Sequence, residues 1–270
     1  MKNRKVTSVT EYLQWVHDMH THEAFGIEWL RPRIFFRGQA SKLSISPSLF
    51  RKGNGVSLEY QILSTAQRLV WKEIHNYSSY LEKLIYFQHY GLPTRLVDVT
   101  SNPLVALYFA CQPVKKNGKN TNGIVYVGCE DEQNNSDVDE LCRVLFQYNL
   151  ADCTINSLEQ IGLKKSFEQL VQENIYVVPP INNERLEAQS GAFIFTRILE
   201  KKDNVYSLSG EYKQDKFEPQ SVIIPYDSKT TILHELRELN IHEGTMFPDA
   251  EHKLKYATQY VKDKYPLYIE

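Results

Sequence analysis

The stretch Gln88–Cys111, QHYGLPTRLVDVTSNPLVALYFAC, decides how this chain is read. A polar segment rich in His, Tyr, Thr, Arg, Asp and Ser, punctuated by Pro93, runs directly into the apolar LVALYFAC. Thr94–Val99 reads as a strand, and Ser101-Asn102-Pro103 reads as a helix start, with proline in the first turn where its missing N–H costs little. Two readings stand. The polar groups are caps and ion pairs at a strand–turn–helix junction, or they wall a ligand pocket.

Working outward, Ser8–His20 has the spacing of an amphipathic helix that buries Tyr12, Leu13, Trp15 and Val16. RIFFRGQ after Pro32 predicts a buried strand, broken at Gly38. Ser57–Tyr77 and Leu81–Tyr90 have helical periodicity, the second ended by Gly91 and Pro93. KKNGKNTNG (Lys115–Gly123) predicts a turn into the strand GIVYVGC, and Asn134–Asp137 another loop. Helices are expected over Val138–Gln147 and Lys165–Gln172, then strands in IYVVPP, GAFIFT and VIIPY. Thr230–Leu239 and Asp249–Lys262 close the chain as helices. Scattered strands without regular βαβ alternation predict an α+β fold, a single domain with helical insertions.

The chain's 270 residues suffice for a real core, and 17 Tyr and 12 Phe supply it. A net charge of −2 gives no global field for nucleic acid or an anionic membrane. MKNRKVTSVTEYLQWV lacks the apolar region of a secretory signal, and LVALYFAC falls far short of the roughly 20 residues a membrane helix needs. Cys111, Cys129, Cys142 and Cys153 form no C-x-x-C pair and read as reduced core residues. A cytoplasmic protein without a membrane partner is expected. His17, His20 and His22 read as a solvated helix end, and no metal site is expected. RKGNGV near Gly53 lacks the Lys-Ser/Thr of a P-loop. Lys115, Lys116 and Lys119 read as a surface turn or a contact to a phosphate backbone.

Three segments carry candidate chemistry: FFRGQ, the Gln88–Cys111 stretch, and RLEAQSGAF (Arg185–Phe193). Arg37 either pairs with an internal acid or holds a phosphate or carboxylate through its fork of donors, with Gly38 admitting the ligand. Asp98 either pairs with Arg95 or Arg37 or faces the ligand. The helix start at Ser101 offers free backbone donors to an anion. Gln189 either satisfies backbone groups at a bulge or faces the cleft.

These segments resemble the FRG-domain family, through Phe36-Arg37-Gly38, the Gln88–Cys111 stretch, RLEAQSGAF and the ending IIPYDSKTTILHELRELNIHEGTMFPD. The resemblance implies an N-terminal helical segment over 1–32, an FRG domain over 33–250 and a C-terminal helix over 251–270. The order of signatures is also similar to the ADP-ribosyltransferase fold, which implies a mostly antiparallel split central sheet and a strand carrying the third signature. On that likeness NAD is the cofactor and substrate, and the protein transfers or hydrolyses its ADP-ribose group. The alternative is a non-catalytic module for a nucleotide or nucleic acid.

The likeness implies Arg37, Gln189 and His89 as catalytic residues. It implies cofactor contacts from Arg37, Gly38, Gln39, His89, Tyr90, Thr94, Arg95, Asp98, Thr100, Ser101 and Tyr108, with Phe109 an alternative to Tyr108. Gln189 stands where arginine-modifying transferases keep a glutamate and supplies no negative charge, so either another acid, Asp98, serves, or the activity is weak, or the site only binds. Glu187 is expected to face away. The macromolecular target is a nucleic acid or a protein, and the role implied is that of a toxin or an antiviral-defence component.

Overall fold

The computed structural model describes residues 4–21, 33–51, 55–130, 133–151, 154–180, 183–210 and 220–264. Cys153, His22 and Gly53 lie outside them, as does the side chain of His20. In chain order, β1 (Arg4–Lys5) and α1 (Val9–Thr21) precede β2 (Arg33–Gln39). Helices α2 (Glu59–Leu69), α3 (Trp71–Ile74) and α4 (Tyr80–His89) lead to β3 (Leu96–Thr100) and α5 (Pro103–Cys111). A short hairpin, β4 (Lys115–Lys116) and β5 (Lys119–Asn120), feeds β6 (Gly123–Glu130) and α6 (Asn135–Gln147). Then come β7 (Ile175–Val177), α7 (Glu184–Ala188) and β8 (Gly191–Phe195). A second hairpin, β9 (Leu199–Lys202) and β10 (Val205–Leu208), precedes β11 (Ser221–Ile224). The helices α8 (Lys229–Glu238), α9 (Glu243–Met246) and α10 (Ala250–Lys264) follow.

Seven of these strands form one sheet in the order β1-β11-β6-β2-β3-β8-β7. The β1–β11 pair is parallel and the other pairs are antiparallel, so the fold is α+β with a mixed sheet. The expected split is only a narrowing. β2 pairs with β6 from Arg33 to Gln39 and β3 with β8 from Leu96 to Thr100, whereas β2 meets β3 at the single pair Phe36↔Thr100. The sheet also curls, bringing Phe35 of β2 and Tyr176 of β7 into a stack with ring centroids 4.7 Å apart.

Gly38 does not break its strand. It continues the β2–β6 ladder opposite Val125 and lets α5 lie directly on the sheet. Helix α5 is apolar on every side, as a buried helix must be. Asn102 caps it through a 2.9 Å bond from Leu104 N–H, with Pro103 in the first turn. Helix α4 starts at Ser79, whose hydroxyl accepts from Glu82 N–H, and Asp139 of α6 ties down the same turn. It ends as Gly91 turns left-handed, with Leu92 N–H reaching Phe87 C=O and Gly91 N–H reaching Gln88 C=O.

Cross-strand partners share a face. Phe36 and Thr100 therefore lie on the same side as Asp98 and its partner Phe193. On that face α5, α1 and α8 cover one half of the sheet, and α4 and α6 the other. Two helical layers on one face leave room between them at the β2–β3 seam.

Other expectations shift in detail: Leu13 of α1 is exposed, while Tyr12, Trp15 and Val16 are buried as expected. The helical run 57–77 breaks at Val70 into α2 and α3, and Lys165–Gln172 forms two short 3₁₀ turns. The basic loop is a tight hairpin, with Asn117 and Gly118 both at positive φ, the geometry that a two-residue Asn-Gly turn favours. Cys111 and Cys142 are buried free thiols, and burial pushes the Cys111 thiol up to about 12. Among the described residues no helix is long and apolar enough to cross a membrane, and no group of side chains is arranged to hold a metal ion.

Candidate functional site

A cavity of about 310 Å³ opens in the gap between the two helical layers. Its floor is sheet: Phe36, Asp98, Thr100 and Phe193. Helix α4 contributes Ile85, Gln88 and His89, and α5 contributes Val105 and Phe109. Asn183, Arg185, Leu186 and Gln189 close it from α7 and its two ends. All three sequence segments thus meet in one place, although they lie far apart along the chain.

The seam explains how. Past Phe36↔Thr100 the two central strands part, and Arg37 spans the opening by donating from Nη1 to the backbone carbonyl of Asp98. Asp98 is the one exposed residue of β3, a solvent-accessible carboxylate in mid-strand with buried neighbours on both sides. Gln88 Nε2 donates to Asp98 Oδ1 at 2.7 Å, while Gln88 Oε1 accepts from the Thr94 hydroxyl. Both ends of this amide are engaged, so Gln88 fixes the Asp98 carboxylate.

The third segment corrects the expectation of a strand. Asn183 accepts from Leu186 N–H at 2.7 Å and caps α7, so ERLEA is helical and the strand begins only at Gly191. Gln189 is the residue that ends this helix, and Ser190 turns at positive φ. Thr100 Oγ1 donates to Gln189 C=O at 2.7 Å and accepts from Asn102 N–H at 3.0 Å, which locks the turn onto β3 and α5. Gln189 Nε2 donates to Met246 C=O at 2.9 Å. Glu187 lines a different cavity, because α7 and not a strand aims it there.

Arg185 stands over Phe247, its guanidinium carbon 4.8 Å from the ring centroid, and Phe247 meets Phe109 edge-on at 6.2 Å. The segment after α9 therefore packs against two lining residues, Arg185 and Phe109. His89 sits at the mouth. Partial burial and the neighbouring Arg185 charge lower its pKa, and Asp249 acts the other way, so the ring is neutral at pH 7.

Of the expected site residues, Arg37, Gly38, His89, Asp98, Thr100 and Gln189 line this cavity. Gly38 is pressed against α5, so close approach of a helix accounts for it. Thr94 is buried and holds Gln88. Arg95 is fully buried in a two-point pair with Glu59 and also donates to the carbonyl of Arg197 at 2.6 Å. Such an arginine has no face left for a ligand. Tyr90 is 72% exposed and packs on Tyr86 over a separate apolar groove. Ser101 borders the cavity of Glu187 and Ser190. Tyr108 is buried behind Phe109, its phenol pushed up to about 12 by burial, and Gln39 lies at the end of β2 outside the lining.

Sequence reading passed over Gln88, Asn183 and Arg185 as site residues. Gln88 carried a signal. Leu81, Leu84, Ile85 and Gln88 occupy one helical stripe, and a polar residue on a buried stripe needs a partner. Arg185 carried none beyond its place in the third segment.

Arg37, Gly38, the α4 residues, Asp98, Thr100 and Phe109 all come from one continuous third of the sequence. Residues 32–119 match the family model of the FRG domain. The FRG match covers the first two segments and ends inside the β4–β5 hairpin, so Arg185, Gln189 and the C-terminal helices lie beyond it. No curated protein and no solved structure gives a match.

Proposed function

We propose that the cavity binds a nucleotide, NAD in the first place, and transfers or hydrolyses its ADP-ribose group. The observation that carries this reading is the pairing of a ring-sized apolar surface (Phe36, Phe109, Ile85, Phe193) with two arginines, Arg37 and Arg185, in the lining of one cavity. Apolar lining with a few convergent polar groups is the usual composition of a small-molecule site, and an arginine fork matches phosphate oxygens.

In this reading Arg37 and Arg185 hold the anionic part. The nicotinamide–ribose bond breaks with its electron pair leaving on nicotinamide. Asp98, held by Gln88, supplies the negative charge beside the developing ribosyl cation, the part a neutral Gln189 cannot take. Neutral His89 accepts the proton of the attacking water or acceptor group as the new bond forms. The ADP-ribosyltransferase-like assignment of the fold, a cytoplasmic location and a role as a toxin or antiviral-defence effector belong to the same proposal.

Calorimetry with NAD on the wild type and Arg37→Ala, together with an assay for released nicotinamide, tests it. The wild type is expected to bind and release, and Arg37→Ala to do neither. Wild-type protein that binds no nucleotide and releases no nicotinamide refutes the reading. Induced expression in a bacterial host should slow growth for the wild type and not for Arg37→Ala.

A second reading is binding without turnover, of a nucleotide or of nucleic acid. Two site groups favour it: the Gln189 amide already donates to Met246 C=O, and one Asp98 oxygen is already held by Gln88. Binding with no nicotinamide release selects this reading.

A further inference from the structure

A second cavity, of about 260 Å³, adjoins the first. Arg37, Gln88 and Asp98 line both, so they are the partition between two compartments. The far compartment differs in chemistry. Ser46, Ser48 and Arg51 line it, and its apolar part is limited to Leu92, Leu96 and Val97.

We propose that the site is bipartite and that the Arg51 compartment takes the far half of a diphosphate-bridged dinucleotide, an inference that rests on the nucleotide reading above. Charge is the first argument. Across the two compartments the lining holds three arginines, Arg37, Arg51 and Arg185, and one acidic residue, Asp98. Arg37 sits where the compartments meet, so the positive charge is centred on the junction, which suits a bridging diphosphate more than a terminal monophosphate.

Construction is the second argument. Arg51 is fixed on its rim by two bonds to Ser46 C=O, from Nε at 3.0 Å and Nη2 at 2.7 Å. The partition is held by a relay that starts in the far compartment. Thr94 N–H donates to Ser48 Oγ at 3.1 Å, the Thr94 hydroxyl donates to Gln88, and Gln88 donates to Asp98. Both compartments are thus set before any ligand arrives, as a preorganised site requires. Size is the third. A mononucleotide occupies one compartment, whereas a dinucleotide uses both and all three arginines.

The test is a titration of NAD, ADP-ribose, AMP and nicotinamide mononucleotide into the wild type, Arg51→Ala and Arg51→Gln. Thermal unfolding confirms that the exposed Arg51 variants remain folded. Wild type should bind ADP-ribose and NAD more tightly than either mononucleotide. Both variants should lose about tenfold or more in affinity for the dinucleotides, the scale of one charge-assisted contact. Binding of the tighter mononucleotide should stay within about twofold. Equal loss for mononucleotides and dinucleotides, or no loss for any, overturns the bipartite site while leaving the nucleotide reading intact. No binding of any of the four to the wild type overturns both.

Discussion

Gly38 of β2 and Ala106 of α5 are in backbone apposition: a methyl group on Gly38 would stand 1.8 Å from the Ala106 carbonyl oxygen. Neither side can readily yield, because both are main chain within regular elements, Gly38 in the β2–β6 ladder and Ala106 inside α5. Gly38→Ala is expected to cost more than about 3 kcal/mol, the upper end for overpacking a core. Gly191→Ala is the control, since its methyl group would press on the tip of the Leu186 side chain, at 2.5 Å, and lie at an ordinary 3.4 Å from the Leu186 carbonyl oxygen. A cost nearer 1 kcal/mol is expected there. Urea midpoints of the two variants check the contrast.

The buried pair of Arg95 and Glu59 joins α2 to the residue that precedes β3, with no solvent to replace either partner. Removing one leaves an uncompensated charge in the core, so Arg95→Ala and Glu59→Ala should each cost about 3–5 kcal/mol. The double variant should cost less than the sum of the two. Denaturant unfolding of the three variants reads the coupling, and strict additivity would show that the pair is not a unit.

Histidine titration sets one window of pH sensitivity. Burial lowers the pKa of both His89 and His242, with Arg185 and Arg237 as the respective second causes. The unfolded chain takes up protons near the ordinary value of 6.5 while the folded chain resists, so stability falls as pH drops below about 6.5. The lowered carboxyls of Glu11, Asp18, Glu168 and Asp249 act in a separate, more acidic window. Proton NMR should show the His89 pKa rising in Arg185→Gln and falling in Asp249→Asn.

Gln189 is tied to the C-terminal segment through Met246 C=O. Gln189→Glu replaces that donor by a carboxylate facing a carbonyl, so α9 and the residues after it should loosen. Faster amide exchange over 243–250, with the sheet unchanged, is the expected result. Protection equal to the wild type would mean that the bond contributes nothing to docking this segment.

The sequence revealed the elements more readily than the places where they touch. Asn102-Pro103 and Gly91 mark helix ends by local chemistry that requires no tertiary knowledge, and α4 and α5 begin and stop beside them. Asp98 and His89 were legible as polar residues at a junction. Arg95 was not separable from them, because the partner that removes it from the site, Glu59, lies 36 positions away in a helix of ordinary amphipathic pattern. In the third segment GAFIF is the strand that its apolar run predicts, but the transferase likeness extends that strand over ERLEA, whereas the cap at Asn183 that turns ERLEA into helix is one residue among several polar ones.

The single-pair seam between β2 and β3 has a consequence for modularity. Within residues 32–119 the two central strands share only Phe36↔Thr100, and their long ladders run to β6 and β8, which belong to the remainder of the chain. The matched stretch is therefore a sequence signature rather than an excisable folding unit. Transplanted alone into another protein it would bring Arg37, Gln88 and Asp98 without the neighbouring strands that hold them in register, and two open strand edges would be left to pair with whatever chain they met.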